Sequence, residues 1–243
     1  MKKSNWPVLA LFAAAAAVLR AAQCRTGFDA DGLAIRGNVP GALLPAALAL
    51  AAAYFIASAR SLPSRRDAAE ELSDRFGFRR MPAKLCAVAG ACLMVLSAES
   101  AVLGYGSSAM LPAVFLAASA CCLLYTVFAL SRGSAVQGVA LLVPVCCLVV
   151  YLIVLYRSDA SDPVLARIYV EILAVALLTY SAVERAAFAF RNGSPRVWVP
   201  VCAMAVVLSV AAAAELQSLT DLLFFLGCAL VELGFLCAAK WEA

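Results

Sequence analysis

The sequence predicts an all-α, polytopic transmembrane helix bundle of about eight spans, with both termini cytoplasmic. Three observations carry this expectation. Of 243 residues, 65% are hydrophobic and 14% charged, and the mean hydropathy is +0.94. A soluble domain is about 45–50% apolar and about 25% charged. Surface-to-volume scaling leaves a soluble chain of this size too little interior for so much apolar surface, so lipid is the natural solvent. The apolar residues also fall into eight runs, each close to the ~20 residues that cross a bilayer. Finally, Lys and Arg alternate between rich and poor connecting segments, as short-loop orientation demands.

Taken in order, the first run (roughly 6–22) follows Lys2 and Lys3 and resembles a signal peptide. Arg20 interrupts it, and Gln23 precedes Cys24 where a lipoprotein signal has a small residue, so it reads as an uncleaved span. The second (39–58) opens beside Pro40, where a missing N–H costs nothing. A cytoplasmic basic loop, 59–82, comes next. There Ser64 with Asp67 and Glu70 suggests a short helix with early acids. Leu72, Phe76 and Phe78, set among arginines, are expected at the lipid headgroups, as on an interfacial helix.

The third run is 83–103, the fourth 111–131 near Pro112, and the fifth 137–156, in which Pro144 predicts a kink. The sixth (164–190) begins after Pro163 and the seventh is 197–214. The eighth (221–240) lies behind Ser218-Leu-Thr-Asp221, which has capping-box spacing with Asp in place of Glu or Gln. Together they make one transmembrane domain, 1–243. The second and sixth runs both start near a proline and end in tyrosine, small residues and a basic loop with Ser and Pro. That likeness suggests a tandem four-plus-four duplication.

With the N-terminus inside, the inner segments hold Lys2 and Lys3, then Arg60, Arg65, Arg66, Arg75, Arg79, Arg80 and Lys84. Arg132, then Arg185, Arg191 and Arg196, and last Lys240 bring the inner total to 14 of the 19 Lys and Arg. Arg20, Arg25, Arg36, Arg157 and Arg167 fall outside. One span more or fewer would scramble that alternation. The expected location is the bacterial cytoplasmic membrane. A net charge of +4, concentrated on one side, argues for orientation in a bilayer and against nucleic-acid binding. Arg65, Arg66, Arg75, Arg79 and Arg80 are the expected contacts for anionic lipid, or for a cytoplasmic or membrane protein partner.

Much chemistry is excluded. Histidine is absent, which removes His-ligated haem, Ser-His-Asp triads and most catalytic zinc sites. No phosphate-binding glycine motif occurs, and no lysine lies deep in a span as a retinal Schiff base requires; the expectation is no metal and no cofactor. Nine of the ten cysteines sit in or at the ends of apolar runs and read as small packing residues, not a disulfide scaffold. Glu70-Glu71-Leu-Ser-Asp-Arg75 resembles the EExxxR motif of intramembrane CAAX-type proteases, whose site also needs histidines; lacking them, this chain cannot assemble it.

What remains is a set of acids in the outer half of the bundle. Glu99 is about 7–8 Å, Glu171 about 12 Å and Glu232 about 16–17 Å below the outer helix ends at 1.5 Å per residue, and Glu215 and Asp221 flank the last outer loop. Intramembrane carboxylates are costly and mark ion or substrate sites. Arg167, four residues before Glu171, shares its face and offers a partner. Glu171, Glu232, Glu99, Arg167 and Asp221 are therefore the candidate ligand or cation site. The competing reading is glutamates that hold helices together by hydrogen bonds.

The sixth span and its exit, "YVEILAVALLTY" to "AFAFRNGSPR", resemble a pattern in uncharacterised bacterial multi-pass membrane proteins, which brings no activity with it. The eight-span size is similar to that of lysoplasmalogenase-type membrane hydrolases, without a shared motif. The expected function is a small transporter-like or accessory membrane subunit, more a binding protein than an enzyme. The alternatives are a lipid hydrolase using paired carboxylates, and a structural partner docking through the arginine loop.

Overall fold

The computed structural model describes residues 5–28, 35, 37–62, 72, 76–78, 80–105, 110–132, 138–159, 165–215 and 218–240, except the side chains of residues 5, 105, 157–159 and 165–167. Among them are eight helices: α1 (Asn5–Thr26), α2 (Val39–Ala59), α3 (Met81–Tyr105), α4 (Met110–Ser131), α5 (Gly138–Asp159), α6 (Leu165–Ala189), α7 (Pro195–Ala213) and α8 (Leu219–Ala238). These are the eight expected spans, and each is long and apolar enough to cross a membrane. The chain is an all-α, multi-pass membrane protein.

Local chemistry sets the helix starts. The Asn38 side chain accepts a hydrogen bond from the Gly41 N–H at 3.1 Å and caps α2. Ser218 Oγ accepts from the Asp221 N–H at 3.0 Å and its hydroxyl is bonded to the Asp221 carboxylate, so the expected cap opens α8. Pro144 lies inside α5, and Pro45 and Pro200 inside α2 and α7. Each removes one backbone donor without ending its helix.

Helices α3 to α8 close a ring in which each packs on the next and α8 returns to α3. Outside that ring α1 and α2 pack on each other and on α7, which therefore touches four helices. The expected four-plus-four duplication does not govern this packing. Under it the extensive α3–α8 interface would recur between α7 and α4, which share no comparable contact.

The α3–α8 interface is the closest. Cβ atoms built on Gly90 and Gly227 would lie 2.5 Å and 2.8 Å from each other's carbonyl oxygens, and one on Gly234 would lie 2.8 Å from Ala87. Small residues let the backbones approach where lipid supplies no hydrophobic drive. Toward the other end of α3, Ser97 Oγ donates to the Thr220 carbonyl at 2.8 Å, and Ser100 Oγ lies 2.9 Å from Thr220 Oγ1.

These contacts make α3 and α8 antiparallel, and successive helices alternate throughout. The ends of α2 and α4 return to the starts of α7 and α3, through Arg196 on the Leu62 carbonyl and Lys84 over the Phe128 ring at 4.9 Å. One end thus gathers Arg60, Arg80, Arg132, Arg191, Arg196 and Lys240; we call it the basic end. Leu11, Leu50, Leu85, Leu103, Leu111 and Ile153 are exposed around the girth, a surface that suits hydrocarbon.

The loop 59–82 corrects one expectation. Leu72, Phe76 and Phe78 do not lie spread on headgroups; all three are buried. Phe76 pairs by backbone with Ala239, and the Gly77 N–H reaches the Ala238 carbonyl at 3.2 Å. Its ring stands edge-on to Phe188, Trp198 and Phe235 at 5.1–5.8 Å, and Phe78 to Phe235 at 5.1 Å. Edge-to-face contacts with three helices gain more than a partly wet interface offers, so the segment plugs the basic end. The short helix expected from Ser64, and Arg65, Arg66, Arg75 and Arg79, lie outside the described residues. Arg80 is exposed at the start of α3.

Candidate functional site

The end opposite the basic one holds most of the acids, and an arginine organises them. On α1, residues Ala16, Arg20 and Gln23 are buried, as is Gly27 just past its end; the i, i+4, i+7 spacing is that of a helix face turned inward. Arg20 is fully buried. Its Nη2 pairs with Glu215 after the end of α7, and its Nη1 donates to Gln23 Oε1 at 3.1 Å. The guanidinium lies 5.7 Å from the centre of the Tyr169 ring, within cation–π range.

Glu171 joins this group from α6. Six residues into the helix, it is about 9 Å below its start. Its carboxyl lies near those of Glu215 and Asp221 and near Arg20. Asp221 is held by Ser218, with Tyr151 Oη at 3.5 Å, long for a hydrogen bond. Tyr151 itself stacks on Phe224 at 4.4 Å, which closes the cluster from below. Three carboxyls, Glu171, Glu215 and Asp221, thus gather at this end, with Arg20 paired to Glu215 and side chains supplied by α1, α5, α6, α8 and the end of α7.

Glu232 is elsewhere, deeper and differently satisfied. Arg185 Nη2 pairs with its Oε1 at 2.9 Å, and both side chains are 3% exposed. Ser181 Oγ donates to Oε2 at 2.7 Å, and Cys202 Sγ to the same oxygen at 3.0 Å. The Arg185 guanidinium also lies 4.3 Å from the centre of the Phe235 ring. Both oxygens of that carboxylate have donors, three in all from α6 and α7, the arrangement of a helix clamp.

The structure therefore brings Glu171 and Asp221 together and leaves Glu232 and Glu99 apart from them. Glu99 is exposed on α3, facing away from the bundle. Arg167 lies on α6 one turn before Glu171, and its side chain is outside the described residues. Sequence reasoning left Arg20, Glu215, Tyr151 and Arg185 out of the site. Arg20 had a signal, a lone cation in an apolar run on the same face as Gln23. Arg185 had one too, four residues after Ser181 and so on its face.

Among the described residues no group of three or more Cys, Asp or Glu is arranged to hold a metal ion, and all ten cysteines are free thiols. Compared with known proteins, the chain matches no family model, and no curated protein or solved structure is similar to it.

Proposed function

We propose that this integral membrane protein is a small transporter-like or accessory subunit whose acidic cluster, Glu171, Glu215 and Asp221 around Arg20, binds a cation, first of all a proton. One observation carries the reading: three carboxyl groups lie close to one another beside a single guanidinium, which pairs with Glu215. With all three ionised, two negative charges stay uncompensated by Arg20 in a region of low dielectric, where such charge is expensive. Carboxylates this close also repel one another unless one of them is protonated. A bound cation or proton relieves both conditions. The positive-inside rule supports turning the basic end to the cytoplasm of a bacterial cell, which makes the cluster outward-facing.

The test is carbodiimide labelling, since that reagent modifies protonated carboxyls in apolar surroundings. In proteoliposomes Glu171 is expected to be labelled, and sodium, potassium or methylammonium, or a rise in pH, to protect it. Glu171→Gln should abolish the label and any proton flux that an imposed pH gradient drives through the protein. Unlabelled Glu171 together with unchanged flux in Glu171→Gln would sink the reading.

A further inference from the structure

Glu99 stands on a different part of the molecule. It lies within the third span, five residues before Gly104, about 7–8 Å below the helix end. With Val102 and Leu103 it forms an exposed i, i+3, i+4 face of α3. Against this face α4 sets Met110 and Val114, both 60% exposed, and between the two helices runs a groove of about 480 Å³ floored by Ala98, Ala113 and Ala117. Among the described residues Glu99 is the one charged group lining the groove. Among the described residues no cation faces it. The two cations buried within the bundle, Arg20 and Arg185, are turned to Glu215 and Glu232.

A carboxylate held against hydrocarbon is retained at a cost unless something covers it. We infer that the α3–α4 groove is the docking site for a transmembrane helix of another protein, one that carries a lysine or arginine about one and a half turns below its outer end. Charge complementarity selects the cation. The alanine floor selects a helix, because small residues on both walls allow backbone approach. A second copy of this chain would bring another Glu99 to the pair. A lipid amine would have to descend below the headgroups to reach the carboxylate, whereas a helix carries its cation to that depth.

The experiment uses the full chain with a terminal fluorophore in phosphatidylcholine vesicles. The probes are labelled synthetic helices of leucine and alanine, identical except for one lysine, one glutamate or neither, six residues from the outer end. Energy transfer is expected to report about tenfold tighter association of the lysine helix than of the plain one, the size of a charge-assisted hydrogen bond. Glu99→Gln should erase the difference, and Glu99→Lys should move the preference to the glutamate helix. Val114→Trp, on the exposed rim, should block the lysine helix with Glu99 intact, which keeps the test valid if the Glu99 variants fold poorly. Equal association of the lysine and plain helices with the unaltered chain overturns the inference. So does Glu99-dependent self-association without any probe, or loss of the lysine preference once phosphatidylethanolamine replaces phosphatidylcholine.

Discussion

At Glu232 three donors from two neighbouring helices converge on one carboxylate, while at Glu171 carboxyls converge on one another. The same residue type thus serves two ends, and mutation should separate them. Removing one partner of a buried ion pair typically costs about 3–5 kcal/mol, because the other charge is left uncompensated. Arg185→Met is expected to cost that much, measured by thermal unfolding in detergent, and Arg185→Met with Glu232→Leu to recover most of it. Additive losses in the double variant would show that the two side chains do not act as a pair. The acids themselves were legible in the sequence, since a carboxylate inside an apolar run is costly and therefore conspicuous. Their partners were not. Arg20 meets Glu215 and Arg185 meets Glu232 across separate helices, and no spacing along one chain encodes such a meeting.

Among the helices, the α3–α8 pair holds the ring closed. A methyl on Gly90 would meet the Gly227 carbonyl at 2.5 Å and the Val231 nitrogen at 2.7 Å, both backbone atoms that cannot rotate away. Gly90→Ala is therefore expected to destabilise by about 1–3 kcal/mol, the range for overpacking. Gly104→Ala, in the same helix with nothing within 4 Å of its new methyl, should stay within about 0.5 kcal/mol. Denaturation midpoints of the two variants check this, and equal midpoints would refute the close approach. In the sequence Gly227 and Gly234 stand out, seven residues apart in an apolar run among larger side chains. Gly90 does not, because it sits in an alanine-rich run where every residue is small. The aromatic plug was misread for a related reason: Phe76 and Phe78 lie among arginines, and local composition weighs neighbours in sequence, not the rings of α6, α7 and α8 that receive them.

For the molecule as a whole, the sequence revealed the number of spans but not their ranks. Helices α2, α3 and α7 have the same span hydropathy, 1.9, yet 28%, 33% and 78% of those spans are buried. Lipid and protein interior are equally apolar solvents, so hydropathy cannot tell a peripheral helix from a central one. The positive-inside rule makes the basic end the expected cytoplasmic side. A reporter enzyme active only outside the cytoplasm should be silent when fused after Lys240 and active when inserted at residues 106–109. The reverse pattern would invert the bundle and place the acidic cluster inside.

The position of α7 has a consequence for how the chain is made. Arg20 lies in the first of the eight helices, and its partner Glu215 lies 195 residues later. The binding face of α3 likewise waits for α8, and α1 and α2 wait for α7. Early helices of this protein therefore enter the bilayer before the later partners of their buried groups exist, with Arg20 resting on Gln23 of its own helix. Birth of the seventh and eighth helices is the moment at which the bundle first becomes self-sufficient.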